Sequence, residues 1–348
     1  MPKLPTLDQD FIQKTLIQLL EIPSPTGYTE AVIDQLRDHL KDLGLDSELT
    51  PKGTLITTWK GEQDSRPRAL TAHVDTLGAM VKEIKSNGRL KLTQIGTYAW
   101  NTIEGEGCTV LSANGELRGS ILLTKASGHV HGEAVGKSER SEDTLELRLD
   151  QRTASIEETL SLGVQVGDFV ALDPRIETGD AGFIRSRHLD DKAGVAAVLG
   201  AIHALKAAGL KPKQTTTFHF SNYEEVGHGA ASGFPDELQE LVAVDMAAVG
   251  EGQTSDEFHV TICVKDRGGP YHHALSQQLR RLAESHAIPY KVDIYPFYGS
   301  DGEAYWRAGG DVRVALIGPG VDASHNYERT HIETLIASTQ LICAYLRS

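Results

Sequence analysis

Seven acidic and histidine side chains of this 348-residue chain lie at predicted strand ends or in the loops after them, and together they could bind metal ions and transfer protons. In chain order they are His73, Asp190, Asp191, Glu224, Glu225, Asp245 and His325. Two divalent ions about 3.5–4 Å apart need a bridging carboxylate, further ligands on each ion, and a separate base for the attacking water. One bridging Asp, two His, one Glu and one Asp meet this requirement, and one Glu remains as the base. The set therefore predicts the chemistry of a two-metal hydrolase.

The first members of this set also have ordinary structural explanations. His73 and Asp75 form a His-x-Asp triplet at a strand end, where Asp75 is expected to accept the second imidazole N–H and fix its tautomer. Such triplets are common by chance. Asp190 and Asp191 open an apolar helical segment, where Asp is also a favoured cap. Neither motif alone predicts a metal site.

The later members are equally ambiguous when each is taken alone. Glu224 and Glu225 follow an apolar strand, where one carboxylate suits a metal ion and the other suits a general base, but a solvated acidic turn has the same pattern. Asp245 ends an apolar strand and needs a partner, which a core hydrogen bond would also supply. His325 lies in a loop before the last helix.

The segments around these residues alternate between strand and helix, as in an α/β sheet. Apolar β-type runs are predicted at residues 54–59, 69–73, 215–220, 241–244, 259–264 and 312–317. Amphipathic or apolar helices are predicted near residues 8–20, 29–43, 195–205, 271–287 and 332–346. Because open sheets bind their ligands at the carboxyl ends of strands, the candidate residues at strand ends are expected to converge there.

The pattern of predicted elements changes between His73 and the Asp190-Asp191 pair. Residues 76–179 contain short strand-like pieces and many glycines, with little helical periodicity. We therefore predict two domains. Residues 1–75 and 180–348 form a catalytic α/β domain with a mixed central sheet flanked by helices, and residues 76–179 form a small inserted β-barrel-like domain.

Composition limits the possible partners. Lys and Arg number 34 against 48 Asp and Glu, a net charge of −14, which argues against nucleic acid or an anionic membrane as the main ligand. The three cysteines, Cys108, Cys263 and Cys343, do not suggest a disulfide framework, so a reducing cytoplasm is the expected compartment. The amino terminus does not resemble a signal peptide, and no apolar run approaches the roughly 18 residues of a membrane span.

Taken together, the motifs resemble those of the co-catalytic zinc metallopeptidases. Within that group the chain is most similar to the tetrahedral dodecameric aminopeptidases, which include glutamyl and deblocking aminopeptidases. The matching motifs are Ala72-His73-Val74-Asp75, Leu189-Asp190-Asp191-Lys192-Ala193-Gly194, Glu224-Glu225-Val226-Gly227 with Gly229-Ala230, Ala243-Val244-Asp245, Gly299-Ser300-Asp301 and Ser324-His325. The related carboxypeptidases and aminoacylases carry their extra domain later in the chain, so the early insertion favours the aminopeptidases.

The resemblance implies a role for each ligand. Asp190 would bridge two metal ions. His73 and Asp245 would bind the first ion, and Glu225 and His325 would bind the second. Hard carboxylates with two imidazoles suit zinc, and cobalt or manganese are alternatives.

The same resemblance implies two catalytic residues, with Glu224 as the general base and Asp75 as the residue supporting the first histidine. It further implies a short peptide or peptide-like substrate. A homo-oligomer is expected, assembled through the inserted domain, and both a dodecamer and a dimer remain open. Asp301 would bind a substrate amine or make a structural hydrogen bond.

Three functions are compatible with these residues. The first is a metallo-aminopeptidase that removes N-terminal residues from short peptides. The second is a two-metal amidase or deacylase acting on acylated amino acids or capped dipeptides. The third is a metal-binding scaffold without catalysis, which we would expect to lack a ligand or the base. Because every one of these positions is filled, the sequence favours a hydrolase. Departures such as Lys192 in place of the family's usual Arg leave the preferred side chain open.

Overall fold

The computed structural model describes residues 3–348. The helices are α1 (Gln9–Leu20), α2 (Glu30–Asp42), α3 (Gly128–His131), α4 (Ala134–Lys137), α5 (Ile156–Ser161), α6 (Leu189–Ala207), α7 (His273–Ser285), α8 (Asp301–Arg307) and α9 (Ile332–Leu346). The strands are β1 (Glu48–Leu49), β2 (Leu55–Trp59), β3 (Gln63–His73), β4 (Gly78–Ile84), β5 (Leu90–Ile95), β6 (Gly107–Ser112), β7 (Gly115–Leu123), β8 (Leu145–Leu149), β9 (Phe169–Leu172), β10 (Glu177–Thr178), β11 (Phe183–Ser186), β12 (Gln214–Ser221), β13 (Glu240–Val244), β14 (Ala247–Val249), β15 (Val260–Asp266), β16 (Gly269–Pro270), β17 (Tyr290–Ile294), β18 (Arg313–Asp322) and β19 (Glu328–His331). Short 3₁₀ turns occur at Trp100–Thr102 and Glu224–Val226.

The chain forms two compact units. The first consists of Met1–Asp75 and Arg175–Ser348, and the second of Thr76–Pro174. The segment from 175 to 179, predicted to belong to the insertion, lies in the first unit because β10 pairs with β11, which in turn pairs with β19. Within residues 3–348, no helix has both the length and the apolar character needed to cross a membrane.

A mixed sheet forms the centre of the first unit, as predicted. Its strands follow the order β1-β2-β12-β3-β13-β18-β19-β11-β10, and β14 and β15 also pair with β18. Strands β12, β3, β13 and β18 run parallel to one another. Strand β2 is antiparallel to β12, and β15 is antiparallel to β18. The parallel strands therefore end at a common edge of the sheet.

Alternating side chains bury both faces of this sheet. Leu70 of β3 and Val242 of β13 pack into the cluster that contains the apolar residues of α6 and α9. Their neighbours Ala69 and Leu241 belong to a second cluster, against which Tyr305 of α8 packs. Since successive side chains of a strand point to opposite faces, helices cover the sheet on both sides.

Helix α6 is buried along most of its length, and it positions the aspartate pair at its start. Its apolar residues include Val195, Ala197, Val198, Leu199, Ile202 and Leu205, which are at most 2% exposed. The helix packs against both α1 and α9. A helix that is apolar nearly all round is expected in such an interior position, so its amino-terminal end is fixed by packing.

The second unit is a closed β-barrel, in agreement with the predicted inserted β domain. Its strands follow the order β4-β5-β8-β7-β6-β9 around the barrel. The interior is filled by apolar side chains from these strands, including Val81, Leu92, Val110, Ile121, Leu147 and Val170. Closure leaves no strand edge unpaired along the barrel wall.

Candidate metal centre

Neighbouring strand ends bring together four residues of the predicted site. Strand β3 ends at His73, and the adjacent parallel strand β12 ends in register beside it. The 3₁₀ turn after β12 carries Glu224 and Glu225. Strand β13, on the other side of β3, is followed directly by Asp245. The carboxyl ends of three adjacent strands thus place these four residues at one edge of the sheet.

The other two candidate ligands come from a different pair of strands. Strand β11 runs antiparallel to β19, and Ser186 at the end of β11 pairs with Glu328 at the start of β19. Asp190 follows β11, and His325 lies in the turn that precedes β19. Antiparallel pairing therefore brings the segments of Asp190 and His325 close together, although they are far apart in sequence.

The carboxylate of Asp190 lies between the two histidines. Its Oδ1 is 3.1 Å from Nε2 of His73, and its Oδ2 is 3.4 Å from Nε2 of His325. Asp245 Oδ1 is 4.0 Å from the first imidazole Nε2, and Glu225 Oε2 is 3.6 Å from the second. Two candidate ligand sets result, the first formed by His73, Asp190 and Asp245 and the second by Asp190, Glu225 and His325. The donor atoms of each set lie within 4.8 Å of one another, and Asp190 belongs to both.

Glu224 and Glu225 are neighbours in sequence but differ in their surroundings. The side chain of Glu225 is 3% exposed and belongs to the second ligand set. The side chain of Glu224 is 15% exposed, and its Oε2 lies 3.8 Å from Nε2 of His73. Burial raises the pKa of Glu224 well above its usual value. A partly accessible carboxyl of raised pKa beside the ligands suits a group that accepts and releases a proton.

Asp75 is buried, but its contacts differ from those expected of a His-x-Asp triplet. The Nδ1 of His73 lies 2.9 Å from the backbone carbonyl oxygen of Asp75 and 3.6 Å from its carboxylate Oδ1. The carbonyl thus makes the closer contact with the imidazole. The carboxylate instead accepts the backbone N–H groups of Glu224 and Glu225, at 3.1 and 3.3 Å, and the Thr26 hydroxyl at 2.7 Å. Asp75 therefore holds the turn that carries the two glutamates.

Asp191 lies beside the two ligand sets and belongs to neither of them. It is fully buried, and its Oδ2 accepts the backbone N–H of His73 at 3.4 Å. The peptide bond between Asp190 and Asp191 is cis. A side chain at Gly194 in the next turn of α6 would clash with the carboxylate, since a Cβ there would lie 2.3 Å from Asp191 Oδ1. Asp191 thus packs between α6 and the end of β3.

Burial and ion pairing act in opposite directions on the carboxylates. Burial opposes ionisation of Asp190, but hydrogen bonds from His325 and His73 outweigh it and keep the pKa of Asp190 below its usual value. Burial raises the pKa of Glu225 to about 8 and that of Asp245 to about 7. So many acids at close range favour protonated forms unless positive charge is supplied.

Each ligand set contains a buried carboxylate oxygen that a positive charge would stabilise. Glu225 Oε1 and Asp245 Oδ1 are buried without a hydrogen-bond partner. A buried carboxylate oxygen without a partner is costly and uncommon in folded proteins. One such oxygen lies in each ligand set, beside an imidazole and the shared carboxylate. Oxygen and imidazole donors of this kind fit a divalent cation in each set.

Asp301, for which two roles were open, makes structural hydrogen bonds. It is 3% exposed, and its Oδ1 accepts the backbone N–H of Ala230 at 2.8 Å. Its Oδ2 accepts hydrogen bonds from the hydroxyls of Ser221 and Thr71. Ser221 precedes the Glu224–Glu225 turn and Ala230 follows it. The carboxylate thus ties together both ends of the loop that carries the glutamates.

Glu328 was not predicted as a site residue, yet it contacts two ligand segments. It is 2% exposed and accepts the backbone N–H groups of Asp190 and His325. The sequence offers one signal for Glu328, an acidic residue at the start of a short strand. That signal is not specific. Its meaning depends on the pairing of β11 with β19, which local sequence does not encode.

Comparisons with known proteins agree with this geometry. The family described as "M42 glutamyl aminopeptidase" matches residues 53–341, which is most of the chain. The Bacillus subtilis protein named "Putative aminopeptidase YhfE" is 49% identical over 332 residues, covering 95% of this chain and 96% of the relative.

Solved structures establish the fold. The Pyrococcus horikoshii TET1 peptidase, which can assemble into a tetrahedron or a large octahedral shell, has a TM-score of 0.85 at 24% identity and covers 97% of this chain and 99% of its own. A TET aminopeptidase from Thaumarchaeota archaeon SCGC AB-539-E09 has a TM-score of 0.88 at 17% identity, covering 97% of this chain and 96% of its own. The similarity extends over both units.

Proposed function

Because the chain belongs to the M42 glutamyl aminopeptidase family and is a peptide hydrolase, we propose that it removes N-terminal residues from short peptides with the help of two divalent ions. The observation that carries this proposal is the position of Asp190, whose two carboxylate oxygens face different histidines at 3.1 and 3.4 Å. A carboxylate shared by two ligand sets is the arrangement that a dinuclear centre requires.

Each ion would be held by one ligand set in addition to the shared carboxylate. His73 and Asp245 would hold the first, and Glu225 and His325 the second. Zinc suits this mixture of imidazole and carboxylate donors, as do cobalt and manganese. When bound, the two ions supply Lewis-acid polarisation of the scissile carbonyl and make the attacking water more acidic.

Glu224 is the proposed proton carrier. Its carboxylate takes a proton from the attacking water and delivers it to the nitrogen of the departing amine. This role is supported by its exposure, by its raised pKa, and by its place beside the first ligand set rather than within it. Asp75 holds the turn that carries Glu224, because its carboxylate accepts the backbone N–H groups of Glu224 and Glu225.

The assembly state is part of the proposal. The Pyrococcus horikoshii relative assembles into closed shells, and we propose that this chain also forms a homo-oligomer in which the barrel of Thr76–Pro174 takes part. Size-exclusion chromatography with light scattering tests this, with a mass well above the 37.8 kDa of one chain as the expected result. A monomer at micromolar concentration would contradict it.

Hydrolysis of matched dipeptides tests the proposed activity. The metal-stripped protein is assayed against free-amine dipeptides and their N-acylated counterparts, before and after addition of zinc, cobalt or manganese. We expect cleavage of the free-amine members alone, and only after metal is restored. Cleavage of only the acylated members would favour the amidase or deacylase, and no cleavage with any metal would favour the scaffold.

A further inference from the structure

One buried carboxylate outside both ligand sets connects the segments that carry two of the ligands. Glu328 is the first residue of β19 and is 2% exposed. Its Oε1 accepts the backbone N–H of His325 at 3.1 Å, and its Oε2 accepts the backbone N–H of Asp190 at 3.2 Å. A single side chain thus binds the backbone of the shared ligand and that of the second histidine.

The two N–H groups belong to backbone segments that need such support. Asp190 stands at the start of α6 with φ −76° and ψ 107°, outside the helical region, and the first N–H groups of a helix have no intrahelical acceptor. His325 has φ +63°, a left-handed conformation that non-glycine residues rarely adopt. A residue in this region persists where the surrounding structure holds it.

Other buried acids near the site hold a different segment. Asp75 and Asp301 accept hydrogen bonds from the turn of Glu224 and from the loop around it. These contacts support the glutamate turn, whereas Glu328 contacts the backbone of Asp190 and His325. The pairing of β11 with β19 brings the segments of those two residues together, and Glu328 adds a direct link between their backbone N–H groups.

We propose that Glu328 is a positioning residue for the second metal site, the one formed by Asp190, Glu225 and His325. The inference rests on the proposed function, because it requires two ions. Both oxygens of the carboxylate are needed. A glutamine has a single acceptor oxygen, so its NH₂ group would face one of the two backbone N–H donors. Loss of the carboxylate thus loosens two of the three ligands of the second site, Asp190 and His325, but only the shared Asp190 of the first. The first site keeps His73 and Asp245, which stand at the ends of adjacent parallel strands.

Titration of the metal-stripped chain with Zn²⁺ tests the proposal. Isothermal calorimetry on wild type is expected to resolve two binding steps. In Glu328→Gln we expect the first step to be retained and the second to weaken about 10- to 100-fold, the usual effect of removing a group that orients a ligand. Hydrolysis by the variant is expected to recover when zinc is raised far above the weakened dissociation constant, which a general folding defect would not allow.

Asp293→Asn is the matched control. Asp293 is also a buried acid whose carboxylate accepts backbone N–H groups, those of Thr254, Ser255 and Ile294, each at 2.9 Å. It lies in β17 and belongs to neither ligand set. Its substitution is expected to lower stability and leave both zinc affinities unchanged.

The outcomes separate the inference from the function on which it rests. Two unchanged zinc affinities in Glu328→Gln would overturn the role of Glu328 alone. A wild-type chain that binds fewer than two zinc ions would overturn the two-metal function and the inference with it. Should Glu328→Gln fail to fold, Glu328→Asp is titrated instead. It keeps both oxygens on a shorter side chain, and equal weakening of both steps, or none, would contradict the proposal.

Discussion

The two halves of the proposed metal centre, the ligand sets that share Asp190, are built by different means. His73 and Asp245 end adjacent parallel strands, and their side chains are 2% and 7% exposed. His325 lies in a turn with left-handed backbone, and its side chain is 36% exposed. His73 and Asp245 are positioned by the register of adjacent parallel strands, whereas His325 is positioned by a turn before β19 and by its hydrogen bond to Glu328. We therefore expect the first ligand set to tolerate changes that loosen the second.

Asp190→Asn should have the largest effect on ion binding, because Asp190 belongs to both halves. Its loss should therefore weaken the binding of both ions. The amide has one acceptor oxygen and no charge, so it would not serve both sets. We expect the variant to retain neither ion after dialysis and to show no measurable hydrolysis. Metal analysis by mass spectrometry and a dipeptide assay check this. Retention of one tightly bound ion would contradict a shared role for Asp190.

Glu224→Gln should separate catalysis from ion binding. Glu224 lies beside the first half without belonging to either ligand set, so both zinc affinities should match wild type. Removal of a general base typically slows a reaction about 10²- to 10⁴-fold, and we expect a fall of this size in kcat. Glu225→Gln is the matched comparison, because it should weaken the binding of the second ion. A Glu224→Gln chain with normal kcat would require another base.

The sequence predicted candidate ligands in both halves but not the residues that support them. His73 and Asp245 were proposed as ligands because an apolar strand ending in a polar residue is a local pattern, and strand ends in such sheets form sites. The inserted barrel was recognisable from its short strand-like pieces, its many glycines and its lack of helical periodicity. The roles of Asp75 and Glu328 were not, because each accepts backbone N–H groups from segments far away in sequence. Such contacts follow from strand pairing and leave no local pattern.

Asp301→Asn tests the loop that carries the two glutamates. Asp301 accepts hydrogen bonds from Ala230 N–H and the Ser221 hydroxyl, and an amide NH₂ would face one of these donors. We expect the free energy of unfolding to fall by about 1–3 kcal/mol, and kcat to fall with both zinc affinities kept. Urea denaturation and zinc titration measure these quantities.

The control for this substitution is Asp322→Asn. The Asp322 side chain is 43% exposed, so the change should alter stability by less than about 0.5 kcal/mol. An equal loss in both variants would mean that the buried contacts of Asp301 contribute nothing specific to the loop.

The smallest expected effects come from two matched threonines, one beside the strand-end residues and one beside the turn of His325. The Thr26 hydroxyl donates to Asp75 Oδ2 at 2.7 Å, and the Thr330 hydroxyl donates to the carbonyl oxygen of Gly320 at 2.6 Å. The second bond joins β18 to β19 on either side of the turn that carries His325. Valine has nearly the shape of threonine without its hydroxyl, so each substitution removes one buried hydrogen bond and should cost about 1–2 kcal/mol of stability.

Zinc binding should nevertheless distinguish the two valine variants. Thr26→Val leaves the register of β3 with its neighbours intact, and Asp75 keeps its bonds to the glutamate turn, so both zinc affinities should remain at the wild-type level. Thr330→Val loosens the two strands that flank His325, and a few-fold loss confined to the second ion is expected. Calorimetric titration of both variants measures the difference. Equal affinities would mean that the turn is held as firmly as the strand ends, and the contrast between the halves would then lie in exposure alone.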